Sequence, residues 1–585
     1  MGGQAGDRSF HRRLRDRRRP GVRRGRSVSS AVRASRPARD RRIGGGRQSG
    51  CQPVADDHRA GRTRGRAVAQ QRRRGHPPAD RSRLSRHRSD GAGTPRRATV
   101  RTRCPPLPGG GPMTRILVIG AGFGGVAAAN ALLKAGFTDI TLIEKADRPG
   151  GVWRDNRYPG CACDIPAPLY SYSYAPNAAW TRRFPPQPEI LDYLERCVSA
   201  FGLTGRVRFG TEVSAADWTG SAWQVTLADG EILEADVLIP AVGQLSRPVI
   251  PRLPGTFGGP AMHTARWDAS VPIEGRRVAV IGTGASVIQL VPAIAGRAAH
   301  VTVFQRSAPW TLPKPDRRYG RTRRRLYEMA PVLMAPSRAG TWLMTVVTGL
   351  AVTGNRAAGA LLHGLSRAQR RWQVRDPELR RKVTPDEPMG CKRVLFTNAW
   401  YPALARPDVD LVTEKIVEVT ENGIRTADGA DHPCDVIVYG TGFAATDFLV
   451  PIRVTGRAGT SLDEAWRDGA HAYLGMAVPG FPNMFLVYGP NTNTGNTSVV
   501  FFHEAQARWI AQAVRRIARS RQPLEVRPEV AAAYDEEMQG RLAGSVWAAC
   551  QSWYRTASGR IVTNWPGMAA EYRRRTARLN PADFR

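Results

Sequence analysis

The stretch "RILVIGAGFGGVAAANALLKAGFTDITLIEK", Arg115 to Lys145, reads as strand, turn, helix, strand. Ile116 to Ile119 form a continuous apolar run, as a parallel strand buried on both faces requires. Gly120, Gly122 and Gly125 then supply a GxGxxG spacing. The first permits a tight turn, the second lets the backbone approach a pyrophosphate, and the third lets helix pack on strand. Glu144 ends the next strand, where a carboxylate accepts hydrogen bonds from a ribose diol. A lone GxGxxG is weak evidence, but the strand before it, the helix after it and the spaced acid make a dinucleotide-binding unit.

A second unit opens at "RRVAVIGTGASVIQL" (276–290) and closes at "HVTVFQRSAPW" (300–310). Gly282 and Gly284 keep the first two glycines, and Val287 holds the third position, which implies a wider contact between helix and strand. Arg306 follows the second strand in place of an acid. A guanidinium there pairs with a 2'-phosphate, so the second nucleotide is expected to be NADPH. Two further stretches, "EADVLIPAVGQLS" with Asp236 and Gly243, and "CDVIVYGTGF" with Asp435 and Gly442, repeat one pattern of acid, apolar run and glycine. One follows each nucleotide unit. The expected fold class is therefore α/β, with two Rossmann-like domains, the first split by insertion of the second. The expected boundaries are 113–245 for the first part of the FAD domain, 246–435 for the NADPH domain with a helical insert at about 315–382, and 436–585 for the rest.

The formal charge of +38 over 585 residues would suggest a nucleic-acid or membrane partner, but its distribution argues otherwise. Residues 1–112 hold 31 Arg and 7 Asp with no Lys, Glu, Trp or Tyr. Such a segment has nothing to build a core from. It is read as a disordered leader that does not belong to the native protein, with Met113 as the native start; an RNA-binding arm is the competing reading. Eight Cys in so long a chain imply no disulfide framework, and Cys161 and Cys163 have the wrong spacing for a redox pair or a metal site. They read as ordinary buried thiols. No apolar run spans a bilayer, so a cytoplasmic protein is expected, with shallow membrane contact left open at "TWLMTVVTGLAVTG" (341–354).

Between the two units lies "FGGPAMHTARWD" (257–268), which shows neither helical nor strand period. It resembles the fingerprint FxGxxxHxxxW of the class B flavoprotein monooxygenases, through Phe257, Gly259, His263 and Trp267. The following Asp268 favours their Baeyer-Villiger branch over the N- and S-oxidising one. "GGVWRDNRYPGCACDIPAPLYSYSY", "PQPEIL", "CKRVLFTNAWYPAL", "YLGMAVPGFPNMFLVYGPNTNTG" and "SWYRTASGRIVTNWPG" also match family segments. The resemblance implies an enzyme that uses FAD and NADPH to insert one atom of O2 beside a ketone carbonyl through a peroxyflavin. It implies a small-molecule ketone or heteroatom substrate; no metal site is expected, and the charge distribution argues against a nucleic-acid partner.

It also implies site residues. Gly120, Gly122, Gly125, Glu144, Trp153, Asp164 and Tyr170 are expected around FAD, and Gly282, Gly284, Ser286, Gln289, Arg306 and Ser307 around NADPH. Gln244 is placed near the nicotinamide or read as a plain turn residue. Asp164 is expected to orient a catalytic Arg that the family carries after the NADPH strand. Arg338, ahead of an aromatic and apolar helix, is chosen for it, with "RRYGRTRRRL" offering competitors. His263 is expected to hold a hydrogen bond across the domain seam. An N- or S-oxygenating monooxygenase is the alternative. A disulfide reductase is set aside because it needs a Cys pair beside the flavin.

Overall fold

The computed structural model describes residues 114–585 apart from Thr353 and Asn496, so the reading of residues 1–112 lies outside the described residues. The first nucleotide unit forms β1 (Ile116–Ile119), α1 (Phe123–Lys134) and β2 (Ile140–Ile143), followed by β3 (Val207–Arg208) and β4 (Val237–Pro240). These strands make a parallel sheet in the order β3-β2-β1-β4. β1 and β4 are buried at every position, as strands covered on both faces must be.

The second unit contributes β5 (Ala261–His263), β6 (Arg277–Ile281), α2 (Val287–Ile294) and β7 (His300–Phe304). Then come the insert helices α3 (Arg321–Met329), α4 (Ala335–Val352) and α5 (Arg356–Gln373), and the strands β8 (Val409–Val412) and β9 (Val436–Tyr439). The second parallel sheet runs β8-β7-β6-β9-β5. Two expectations shift here. The domain boundary does not fall at 435, because β9 pairs with β6 and belongs to the second sheet. The stretch 257–268 is also not wholly irregular: three of its residues form the edge strand β5, too short to show a period.

After β9 the chain does return. The amides of Phe485 and Val487 donate to Leu238 and Pro240 at 3.0 and 2.9 Å, adding residues 484–487 beside β4. The helix α6 (Val499–Ser520) then packs on α1 over the largest apolar core.

The repeated acid, apolar run and glycine has a structural cause. Asp236, just ahead of β4, accepts from the Arg115 amide at 2.7 Å and from its guanidinium at 2.7 Å. Asp435, just ahead of β9, does the same for Arg277 at 2.8 and 2.7 Å. Each acid therefore sets the register of one central strand against its neighbour.

Candidate functional site

Close packing explains the first glycine turn. A Cβ on Gly125 would stand 1.9 Å from the Gly120 carbonyl oxygen, and Gly120 itself has φ +103 with the Ala241 oxygen 2.7 Å from where its Cβ would be. The N-terminus of α1 carries no side-chain cap and no acid in its first turn, leaving amides and helix dipole open to an anion. Glu144, 5% exposed, accepts from the Ala121 amide at 2.9 Å, the Ala146 amide at 3.1 Å and the Arg154 guanidinium at 2.8 Å. Arg154 is a partner that the sequence reading missed. Nearby, the Trp153 indole donates to the Tyr170 hydroxyl at 2.8 Å, and Tyr170 meets Phe123 edge-on with ring centroids 5.4 Å apart.

In the second unit Val287 packs against the end of β9. A Cβ on Gly440 would stand 2.1 Å from a Val287 methyl, so that methyl fills the space a side chain would take. The corresponding residues in the first unit are Gly125 and Ala241, so the two units exchange bulk between the same two positions. Ser286 precedes α2 without capping it by its side chain. Gln289 is spent elsewhere: its amide accepts from the Tyr158 hydroxyl at 3.0 Å and the Ala162 amide at 3.1 Å, and donates to the Ala162 carbonyl at 3.0 Å. It ties the segment around Tyr158 and Ala162 to α2. Gly160 permits this seam, since a Cβ there would be 2.5 Å from the Gln289 oxygen. Arg306 is exposed beyond β7, and the next residue, Ser307, accepts from the Lys392 ammonium at 3.0 Å.

Asp164 meets a guanidinium, but not that of Arg338. Its partner is Arg393, whose Nε and Nη2 both lie 2.8 Å from one Asp164 oxygen. The attraction of Asp164 is the largest influence on Arg393 and raises its pKa further above the ordinary arginine range. The two side chains are 24% and 31% exposed, so the pair is partly sheltered. Arg338, on α4, donates to the backbone carbonyls of Pro168 and Ser171. Burial lowers its pKa. Arg393 lies in the family-like segment "CKRVLFTNAWYPAL", 229 residues from Asp164.

The residue before Lys392 corrects a second expectation. Cys391 is joined in a disulfide to Cys550, 159 residues away, while Cys161 and Cys163 stay free. The bond fastens the Lys392–Arg393 segment to the C-terminal loop. A pairing this distant leaves no trace in local spacing.

His263, in β5, accepts from the Ala265 amide through Nδ1 at 3.1 Å, so its proton sits on the buried Nε2 beside the Gly442 backbone. Burial lowers its pKa. The ring stands edge-on to Phe443 with centroids 5.5 Å apart. His263 thus holds the β5 edge against the turn after β9. A Cβ on Gly259 would fall 2.8 Å from the Phe257 ring, so that glycine lets the aromatic lie flat on the backbone. Trp267 is buried in the core under the second sheet.

Gln244 donates to the Tyr488 and Gly489 carbonyls at 3.0 and 3.2 Å, and its Oε1 is buried without a protein partner. Gln506 Nε2, Thr497 Oγ1 and Asn564 Nδ2 are likewise buried without one. They surround "YGPNTNTG", a polar run whose Asn491, Thr492, Asn493 and Thr494 are all buried. Buried polar atoms are normally satisfied, so such a cluster suits a ligand ring with both donors and acceptors on its edge. With the open α1 terminus and Glu144, these residues fit a flavin dinucleotide.

Residues 117–331 match the pyridine nucleotide-disulphide oxidoreductase family. Over 478 residues the chain is 41% identical to a Baeyer-Villiger monooxygenase of Streptomyces coelicolor, an alignment covering 80% of this chain and 92% of that one. The chain belongs to the Baeyer-Villiger monooxygenase family. A second member, from Pseudomonas aeruginosa, is 39% identical over 82% of this chain and 92% of its own. The crystal structure of cyclohexanone monooxygenase from Rhodococcus sp. Phi1 bound to NADP+ superposes with a TM-score of 0.72 at 30% identity, covering 79% of this chain and 96% of that one.

Proposed function

We propose that the protein is an FAD- and NADPH-dependent monooxygenase that inserts one atom of O2 beside the carbonyl of a small-molecule ketone, giving an ester or lactone. Bound FAD, reduced by NADPH, supplies the reaction with O2. The open turn of Gly120, Gly122 and Gly125, with Glu144, holds the adenosine and pyrophosphate half of FAD, and Trp153 and Tyr170 line its flavin side. The "YGPNTNTG" loop and Gln244 meet the ring edge. On the second sheet Gly282, Gly284 and Ser286 face the NADPH pyrophosphate. Arg306, Ser307 and Lys392 take its 2'-phosphate, which a lone carboxylate there would repel.

The observation that carries the reading is the Asp164–Arg393 pair, a fixed guanidinium beside the seam that Gln289 ties. Arginine stays charged throughout turnover and presents oriented donors to negative charge developing on a reacting oxygen. Asp164 holds its plane. His263, turned to the turn after β9, positions the linker between the two sheets. The protein works in the cytoplasm, where thiol-reducing conditions bear on the Cys391–Cys550 bond.

The test is NADPH consumption by the flavin-loaded protein with a panel of aliphatic, cyclic and aryl ketones, with products identified by mass. Ester formed in proportion to NADPH supports the proposal. Oxygenation of a sulfide or amine with no ketone converted selects the heteroatom-oxidising alternative.

A further inference from the structure

Among the described residues, sixteen large apolar side chains are exposed, and nine of them fall between Leu326 and Trp372 in the helical insert. Singly exposed apolar side chains need no explanation, but a concentration of this kind marks an interaction surface. Met329 and Val332 are each 75% exposed, Leu343 is 65% exposed and Trp372 is 80% exposed. On α5 the pattern is regular. Leu361, Leu365, Ala368 and Trp372, spaced four, three and four residues apart, form one stripe along the helix, and every one of them is exposed. The buried face of α5 is a different one, carrying Leu362, Ser366, Gln369 and Arg370. The amphipathic helix therefore turns an apolar edge outward.

Charge decides what covers it. From Arg321 to Lys382 the chain has thirteen Arg and Lys against three acidic residues. Arg367 and Arg371, both exposed, lie one helical step from the apolar stripe. A second copy of this chain would bring the same excess of positive charge against itself, and a nucleic acid would give Leu361, Leu365 and Trp372 nothing to bury in. A bilayer surface with anionic headgroups satisfies both features, since the guanidiniums meet the headgroups while the apolar edge enters the acyl boundary. Trp372 suits that depth, having an apolar body and one polar N–H. No helix among the described residues is long and apolar enough to cross a membrane, so the insert lies on the surface.

We propose that the outer face of the α3–α5 insert docks the protein on anionic lipid surfaces. The inference is independent of the ketone reading and stands or falls without it.

The test is co-sedimentation of the full chain with vesicles of phosphatidylcholine containing about one third phosphatidylglycerol, at physiological salt where the Debye length is about 8 Å. The comparison is Leu361→Ser/Leu365→Ser/Trp372→Ser. It keeps every charge, including those of residues 1–112, so leader binding is common to both proteins. These side chains are exposed and outside the cofactor machinery, so bound flavin content and thermal unfolding should be unchanged and serve as the folding control. Should the triple variant fail that control, Trp372→Ser alone replaces it. The proposal expects wild type to bind the mixed vesicles, to bind pure phosphatidylcholine far less, and to lose about tenfold in affinity on triple substitution. Equal binding by wild type and variant, or equal binding to both vesicle types, would overturn it. So would a concentration-dependent self-association that the substitutions abolish, which would assign the face to a second copy of the chain.

Discussion

Arg393→Ala should leave flavin reduction by NADPH within about threefold of wild type while ester formation falls by roughly 10²–10³, the usual cost of removing one fixed charge from a reacting oxyanion. Stopped-flow absorbance of the flavin, read beside product yield, separates the two steps. Arg338→Ala, whose guanidinium rests on backbone carbonyls, should leave the ratio of ester to NADPH unaltered. Loss of ester with reduction intact in the Arg338 variant, and not in the Arg393 variant, would return the role to Arg338. At the nucleotide end, Arg306→Ala and Lys392→Ala should each raise KM for NADPH about tenfold or more and leave KM for NADH nearly unchanged, because only the phosphate contact is lost. The glycine turn and the acid at the end of β2 were readable in the sequence, since their geometry is set by neighbours in the chain. The sequence hid Arg393, because a salt bridge across 229 residues is decided by folding and not by spacing.

At the scale of elements, the exchange of bulk between α2 and β9 is open to a double-mutant cycle. Gly440→Ala places a methyl 2.1 Å from a Val287 methyl and should cost about 1–3 kcal/mol as overpacking. Val287→Gly in the same chain should restore most of that loss, measured by thermal unfolding of the flavin-loaded protein. Additive losses would show that the two residues do not share one space. The strands and helices of the two nucleotide units were legible because buried parallel strands announce themselves as apolar runs. The membership of β9 was not. Val436–Tyr439 has the same composition whichever sheet receives it, and only its pairing with β6 decides. The edge strand β5 was unreadable for a different reason, being held by the strand beside it and by packing around His263.

For the whole molecule, acid sensitivity should centre on His503, on α6 beneath Tyr488. Burial takes its pKa down to about 3 from an ordinary 6.5. Between those values the unfolded chain binds a proton that the folded one refuses, so stability rises with pH across the window. The stabilisation is intact above pH 6.5 and is lost as pH falls toward 3, by about 2 kcal/mol between pH 7 and pH 5. Chemical unfolding at those two pH values should show a smaller acid loss for His503→Gln by about that amount. An unchanged difference would place the acid sensitivity elsewhere. Two sheets, one seam and one oriented guanidinium make a single claim about the molecule: oxygen from the gas phase passes to carbon beside a carbonyl. The most direct measurement supplies ¹⁸O₂, NADPH and an accepted ketone to the flavin-loaded protein and weighs the product. The account predicts an ester or lactone carrying one heavy oxygen per NADPH consumed, and none when the label is supplied as water. A labelled product derived from water, or NADPH oxidation with the ketone recovered intact across the whole panel, would contradict it.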